Sequence, residues 1–339
     1  MATPRASRSV SMTSRERFRE TMRYGTPDRV PYFEEGLRDG VIENWRKQGL
    51  PADADLAAMF HTDRRDRVPL NIELRPGLDQ WPSRRADLGE IRRRLDPEDP
   101  GRFPDNWAEL VKAWRTRDYV LELPIHRGFF LTMGVGGWTR FEQVIEQLAD
   151  APDMVHEIMD LHGELSARLA ERVLREVEID FVSFSEPIGG NDRPLLSPQM
   201  YREFMLSSYR PVLDVLRRHN VETIVLITYA NARVLMPVVL EAGFNCLWAC
   251  EVNVEAMDYR SLRREFGRDL RLIGGIDLDT LLDSQDAIRR EMEQNVPPLL
   301  AEGGYIPLAD GRVRENVPFE NYAYYRRLLE KLTQRGGKA

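Results

Sequence analysis

The stretch "VETIVLITYANARVLMPVVLEAGFNCLWACE", Val221–Glu251, decides the fold. "VETIVLITYA" is short, apolar and rich in β-branched residues, so it predicts a buried strand. "NARVLMPVVLEAG" then predicts a helix closed by Gly243, which can adopt the left-handed conformation that ends helices. "CLWACE" predicts the next strand. Strand, helix and strand within about thirty residues is the βαβ unit of a parallel sheet.

The same unit repeats in both directions. Upstream, "MVHEIMDLHGELSARLAERVLREV" places Met154, Ile158, Leu161, Leu165, Leu169 and Val173 on one helical stripe. "IDFVSFSEP" follows as a strand. The next helix, "SPQMYREFMLSSYRPVLDVLRRHN", has Ser197 as N-cap, Pro198 in its first turn and Asn220 at its end. Downstream, "DYRSLRREFG", "LRLIGGID", "SQDAIRREMEQNVPPLLAEGG", "YIPLAD" and "PFENYAYYRRLLEKL" continue the alternation. The N-terminal part is less regular. "RVPYFEEG" and "DYVLELPIHRG" predict strands, and residues 51–117, rich in Pro and Arg, predict a cap over the bottom or one side. The expected fold class is α/β, a single (β/α)8 TIM barrel with an irregular N-terminal region. Residues 1–12 are expected to form a disordered tail and residues 13–339 the barrel.

The bulk numbers fit a globular domain. The chain has 339 residues, 42% hydrophobic and 30% charged, with a net charge of −7. A nucleic-acid footprint would be basic, so none is expected. No apolar run reaches the roughly 18 residues of a membrane span. The Arg- and Ser-rich start lacks the apolar core of a secretory signal. A cytoplasmic location is expected; a transit peptide is the weaker option. The two cysteines, Cys246 and Cys250, make no disulfide framework and share one face of a strand, where small core residues are the plain reading. "GVGG", Gly134–Gly137, lacks the rest of a phosphate loop and predicts a turn into the helix "WTRFEQVIEQL".

Active sites of such barrels are built at the C-terminal ends of the strands. Those ends supply Glu34 and Glu35, His126 and Arg127, Glu186, Tyr229 and Asn231, Glu251, Asp277, then Asp310 and Arg312. His126 can titrate near neutrality and act as acid or base. Glu186 can be a base, a cation partner or a metal ligand. Tyr229 can donate a hydrogen bond to a developing oxyanion. These three are the catalytic candidates. His126, Glu186, Tyr229 and Glu251 are expected to line one pocket. Arg127 and Arg312 can grip a carboxylate through a planar fork. Glu34, Asn231, Glu251, Asp277 and Asp310 complete the substrate-binding candidates, although Asn231 and Asp277 read equally as helix caps. Glu34 and Glu35 cannot both point inward from one strand, so one is expected to serve the site and the other to face solvent.

The order of these strand ends resembles the uroporphyrinogen decarboxylase-like superfamily, which also holds corrinoid- and thiol-dependent methyltransferases. The stretches that carry the resemblance are "MTSRERFRETMRYGTPDRVPYFEEG", "PLLSPQMYREFMLSSYRPVLDVLRRHNV", "EAGFNCLWACEVNVEAMDYRSLRREFGRDLRLIGGID" and "EGGYIPLADGRVRENVPFENYAYY". They are specific for the superfamily and much less so for one activity. The family's zinc methyltransferases carry a His-x-Cys pair at the fourth strand end. That position aligns with Ile227-Thr228-Tyr229-Ala230-Asn231, of which only Asn231 matches. Where many relatives have Asp-His, this chain has Asp310-Gly311. The arginine-rich N-terminal signature of the porphyrin decarboxylases is absent, and "VPYFEEGLRDG" stands there. Glu186 matches an acidic position, with Pro187 in place of its acidic neighbour.

The resemblance implies first a methyltransferase without the family zinc. It would move a methyl group between a small molecule and a thiol or a corrinoid supplied by a partner protein. The second implication is a cofactor-free decarboxylase or lyase acting on a carboxylated metabolite. The third is a non-catalytic, ligand-binding relative. No tightly bound cofactor and no zinc are expected, and a homodimer stays open.

Overall fold

The computed structural model describes residues 11–250 and 257–334. Seven parallel strands form one sheet in sequence order: β1 (Arg65–Arg67), β2 (Val120–His126), β3 (Phe181–Glu186), β4 (Ile224–Tyr229), β5 (Cys246–Cys250), β6 (Arg271–Ile276) and β7 (Tyr305–Ala309). Consecutive parallel neighbours require a crossover each time. Helices supply most of these, including Pro152–Glu176, Ser207–Arg218, Met236–Ala242, Tyr259–Phe266 and Gln285–Glu302, and Phe319–Thr333 follows β7. Among the described residues no helix is long and apolar enough to cross a membrane.

Local chemistry sets the element ends. Thr13 and Glu16 form a capping box that starts the helix Ser14–Met22. The Ser197 hydroxyl accepts from the Met200 N–H at 3.2 Å, and Gly243 ends its helix at φ 111°. The helix Trp138–Asp150 starts directly after "GVGG". The stripe Met154, Ile158, Leu161, Leu165, Leu169 and Val173 is buried.

Two cores result. One fills the curl of the sheet with Phe33, Val120, Phe181, Val225, Ile227, Cys246, Trp248, Cys250, Ile273, Ile306 and Leu308. The other is the thicker layer between sheet and helices. Side chains alternate between the two along each strand.

Two expectations about the fold are met in part. The first is the (β/α)8 barrel: the parallel α/β architecture of a TIM-like barrel is present, but among the described residues the sheet has seven strands and closure by an eighth is not shown. "RVPYFEEG" runs extended beside the gap without a ladder. It is held by the Asp63 N–H donating to the Tyr32 carbonyl at 2.9 Å, the Val313 N–H donating to the Gly36 carbonyl at 3.0 Å, and one bridge between Leu37 and Val313. Pro31 has no N–H to donate to a ladder. The second is the segment 51–117, which supplies β1 rather than only a cap. Of the expected tail, residues 1–10 lie outside the described residues.

Candidate active site

The inward face near the C-terminal ends of the strands is built first by β1. Its sequence is Arg65-Asp66-Arg67, so the two arginines share one face. They meet Glu122 on β2, which is fully buried. Arg65 Nη1 donates to Glu122 Oε2 at 2.7 Å and Arg67 Nε donates to the same oxygen at 2.9 Å. The Ser183 hydroxyl on β3 donates to Glu122 Oε1 at 2.7 Å. Below them lies an aromatic floor. The Arg65 guanidinium carbon is 4.7 Å from the Trp248 ring centroid and 5.4 Å from that of Phe33.

The two arginines differ in access. The Arg65 side chain is 13% exposed and that of Arg67 is 55% exposed. Arg67 can therefore meet a ligand while Arg65 sits behind it. Burial lowers the Arg67 pKa, but Glu122, Glu35 and Tyr229 outweigh it and hold the group above its ordinary value.

Glu35 and Cys250 complete the inward face. Cys250 Sγ donates to Glu35 Oε1 at 3.6 Å. Burial raises the Glu35 pKa, against the pull of Arg65, the Cys250 contact and Arg67. Tyr229 pairs in register with Cys250 across β4 and β5 and is 37% exposed. Of the three catalytic candidates, Tyr229 is the one on this face.

His126 and Glu186 are separated from it. β2 and β3 run in register through Pro124 and Ser183; then His126 pairs with Phe184, one residue having been slipped in between. This bulge turns His126 outward, because a one-residue shift exchanges the two faces of a strand. Its ring stacks on Phe184 at 6.2 Å and meets Tyr209 edge-on at 4.5 Å. Its Nδ1 accepts from the Gly128 N–H at 3.0 Å. Burial, aided by His162, pushes its pKa down to about 3. It thus stays neutral across the range where a titrating histidine was expected.

Glu186 alternates with Ser185 and also faces outward. Its Oε1 accepts from the Phe129 N–H at 2.8 Å, and its Oε2 accepts from the hydroxyls of Tyr209 at 2.6 Å and Tyr201 at 3.3 Å. Burial pushes its pKa up to about 7, against those hydrogen bonds. Gly128, at φ 79°, lies so close that a Cβ there would stand 2.6 Å from Glu186 Oε1 and 2.5 Å from the Ser185 carbonyl oxygen. The turn after β2 thus closes over the carboxyl. The expected single pocket of His126, Glu186, Tyr229 and Glu251 is corrected: the first two lie on the opposite side of the sheet from Tyr229. Glu251 lies outside the described residues.

The other candidates hold loops. Glu34 faces outward, 3.2 Å from Arg326 Nη1, and accepts from the Tyr325 hydroxyl at 3.3 Å. Glu35, not Glu34, is thus the inward acid, and neither is left to solvent alone. Arg127 pairs with Glu73 at the surface. Asn231 donates to the Asp192 carbonyl at 2.8 Å and accepts from the Arg233 N–H at 3.1 Å. Asp277 caps the turn after β6 by accepting from the Asp279 N–H at 2.8 Å, and Asp310 accepts from the Leu278 N–H at 2.9 Å. Arg312 donates to the Leu37 carbonyl at 2.7 Å.

The sequence reading passed over Arg65, Arg67 and Glu122. Their signals were the alternating Arg-Asp-Arg and a lone acid between Leu121 and Leu123, since a charge inside an apolar strand has to be paired.

The sequence profile of the uroporphyrinogen decarboxylase (URO-D) family matches residues 130–330, more than half of the chain. The chain belongs to the URO-D family. It is 26% identical over 198 residues to the uroporphyrinogen decarboxylase of Legionella pneumophila strain Corby, across 56% of this chain and 51% of that protein. The uroporphyrinogen decarboxylase of strain Paris matches to the same extent. The chain thus spans about half the length of the curated relatives it matches. Among solved structures, a methyltransferase from Methanosarcina mazei shares the fold at a TM-score of 0.62. The match covers 94% of this chain and 99% of that one, at 16% identity.

The zinc of the methyltransferase branch does not fit the described residues of this URO-D family member. Ile227 and Tyr229 occupy the fourth strand end. Cys246 and Cys250 share a face, but four residue steps of extended strand separate them by about 13 Å, too far for one ion. Burial also pushes the Cys246 thiol up to about 12, away from thiolate. Among the described residues no group of three or more His, Cys, Asp or Glu is placed to hold a metal.

Proposed function

We propose that this URO-D family enzyme binds a small carboxylated molecule over the inward face of the sheet and removes its carboxyl group. One observation carries the reading. Two guanidiniums, Arg65 and Arg67, share a single buried carboxylate, Glu122, and burial raises the pKa of the next acid, Glu35. Two cations thus meet one fully buried anion, and Arg67 is the half-open group that can meet a further anion. A planar guanidinium held by Glu122 at Nε still offers terminal N–H groups for a carboxylate.

In this reading Arg67 orients the substrate carboxylate and Arg65 strengthens the field from behind. The low-polarity floor of Trp248 and Phe33 leaves that field poorly screened. The Tyr229 hydroxyl donates to charge that develops on the substrate as the bond to CO2 breaks.

A second reading is methyl transfer between a small methylated compound and a thiol or a corrinoid carried by a partner protein. The end-to-end fold likeness to the Methanosarcina mazei methyltransferase supports it.

A panel of mono- and dicarboxylates, scored first by thermal shift and then by CO2 release, tests the first reading. Arg67→Ala should weaken binding of a stabilising carboxylate by about 10- to 100-fold, the loss of one charge-assisted hydrogen bond. Equal stabilisation of Arg67→Ala and wild type would remove the arginines from the reading. Demethylation of a methylated corrinoid, with no CO2 from any carboxylate, would establish the second. Carboxylate binding with neither reaction would establish a non-catalytic binder.

A further inference from the structure

We propose that Glu35 is the acid that returns a proton to the substrate carbon, and that Cys250 is the positioning residue that holds its carboxyl on the inward face. The inference rests on the decarboxylase reading above.

The geometry comes from alternation. Phe33 is part of the inner core, so Glu35, two residues further along extended chain, faces the same way. Cys250 is likewise inward, at the end of β5, and its thiol meets Glu35 Oε1 at 3.6 Å. Among the described residues, the groups facing Glu35 are Arg65 and Arg67 from β1, Glu122 from β2 and Cys250 from β5, while Glu34 turns to Arg326 on the other side. The carboxyl is thus bracketed by the arginines proposed to hold substrate.

The chemistry needs a neutral acid here. An ionised Glu35 would repel a carboxylate bound on Arg67, as like charges at close range do. A thiol is a weak donor and does little to stabilise the ionised form. Burial raises the Glu35 pKa against Arg65, the thiol contact and Arg67, and a stronger donor at residue 250 would lower it further.

The step balances. The bond between the substrate carbon and its carboxyl group breaks, and CO2 leaves neutral. The electron pair stays on carbon and takes the proton from Glu35, forming a C–H bond. Glu35 is left as a carboxylate and is reprotonated from water before the next cycle.

The chain has two cysteines, so protein labelled with [3-13C]cysteine gives two signals, assigned with Cys246→Ser. In wild type the Cys250 signal should move in two pH steps, one as Glu35 ionises and one as the thiol ionises. Glu35→Gln should remove the lower step while the Cys246 signal keeps its place, showing that the fold is intact. A single step in wild type, or a lower step that survives in Glu35→Gln, overturns the pair.

With any carboxylate that releases CO2 in wild type, Glu35→Gln should lower kcat by about 10²–10⁴-fold and change KM little. In D2O the product should carry deuterium at the vacated carbon. Cys250→Ser, a stronger donor, should move the basic limb of the pH profile to lower pH. Unchanged kcat in Glu35→Gln overturns the catalytic role and leaves the decarboxylase reading standing. No CO2 from any carboxylate, with both pH steps present, sinks that reading and the catalytic role while leaving the pair itself established.

Discussion

Glu122 and Glu186 lie on neighbouring strands, both fully buried, yet their partners differ in kind. Glu122 meets two guanidiniums; Glu186 meets only neutral donors, two phenols and one N–H. Removing Glu122 would leave two cations without their shared anion, so Glu122→Ala should cost about 3–5 kcal/mol in a urea melt. Glu186 has a different signature. Its folded pKa, about 7, lies above its ordinary value, so the folded state holds a proton that the unfolded state releases. The stabilisation is complete below about pH 4.5 and is lost as pH rises through about 7, on the order of 3 kcal/mol in all. His126 and His162, both pushed down to about 3 by burial, act in the opposite sense. They stabilise above about pH 6.5 and lose that effect as pH falls towards 3. The stability difference between wild type and Glu186→Gln cancels the histidines. It should shrink by on the order of 3 kcal/mol between pH 4.5 and 7.5, and a flat difference would show that Glu186 is ionised throughout.

At the scale of the element, what could be read in the sequence depended on regular period. From Pro152 onward the helices carry apolar stripes and recognisable ends, and Ser197, Asn220, Gly243 and Gly267 stand at helix boundaries as expected. Ser197→Ala should cost about 1 kcal/mol, the usual worth of an N-cap, measured by urea unfolding. The effect should stay local, because the cap precedes the π-helical turn Tyr201–Leu206, whose Tyr201 reaches Glu186. β1 was not legible. Three residues, two of them arginine, have no apolar alternation to detect. The direction of His126 was not legible from counting either, since a bulge resets the count. The clue was Pro124, which has no N–H and is found in central strands mainly where the ladder is broken. Strand ends could therefore be located, but the face each side chain takes could not.

At the scale of the whole molecule, the two ends of the sheet carry different groups. The C-terminal ends carry Arg67, Glu35, Cys250 and Tyr229. The N-terminal ends carry a tight ion network that anchors the first helix. Asp180 has a fully buried side chain and accepts from Arg15 Nε at 2.8 Å, Arg19 Nε at 2.9 Å, Arg117 Nη2 at 2.7 Å and the Leu121 N–H at 2.9 Å. Removing that one carboxylate strands the buried Arg117 and loosens Ser14–Met22 from the sheet. Asp180→Ala should therefore cost about 3–5 kcal/mol of stability. The proposed ligand face lies at the other end of the strands, across the packed inner core, so additivity between the two ends is expected. At a temperature where both proteins are folded, Asp180→Ala should bind a stabilising carboxylate as wild type does. Arg67→Ala should show the reverse, weaker binding with a stability change of under about 1 kcal/mol, because its guanidinium is half exposed and Glu122 keeps Arg65. Thermal melts and carboxylate titrations on the two single variants and the double variant decide the matter. If binding weakens in Asp180→Ala as much as in Arg67→Ala, the two ends are coupled through the inner core. The division between a stabilising end and a chemical end would then fail for this fold.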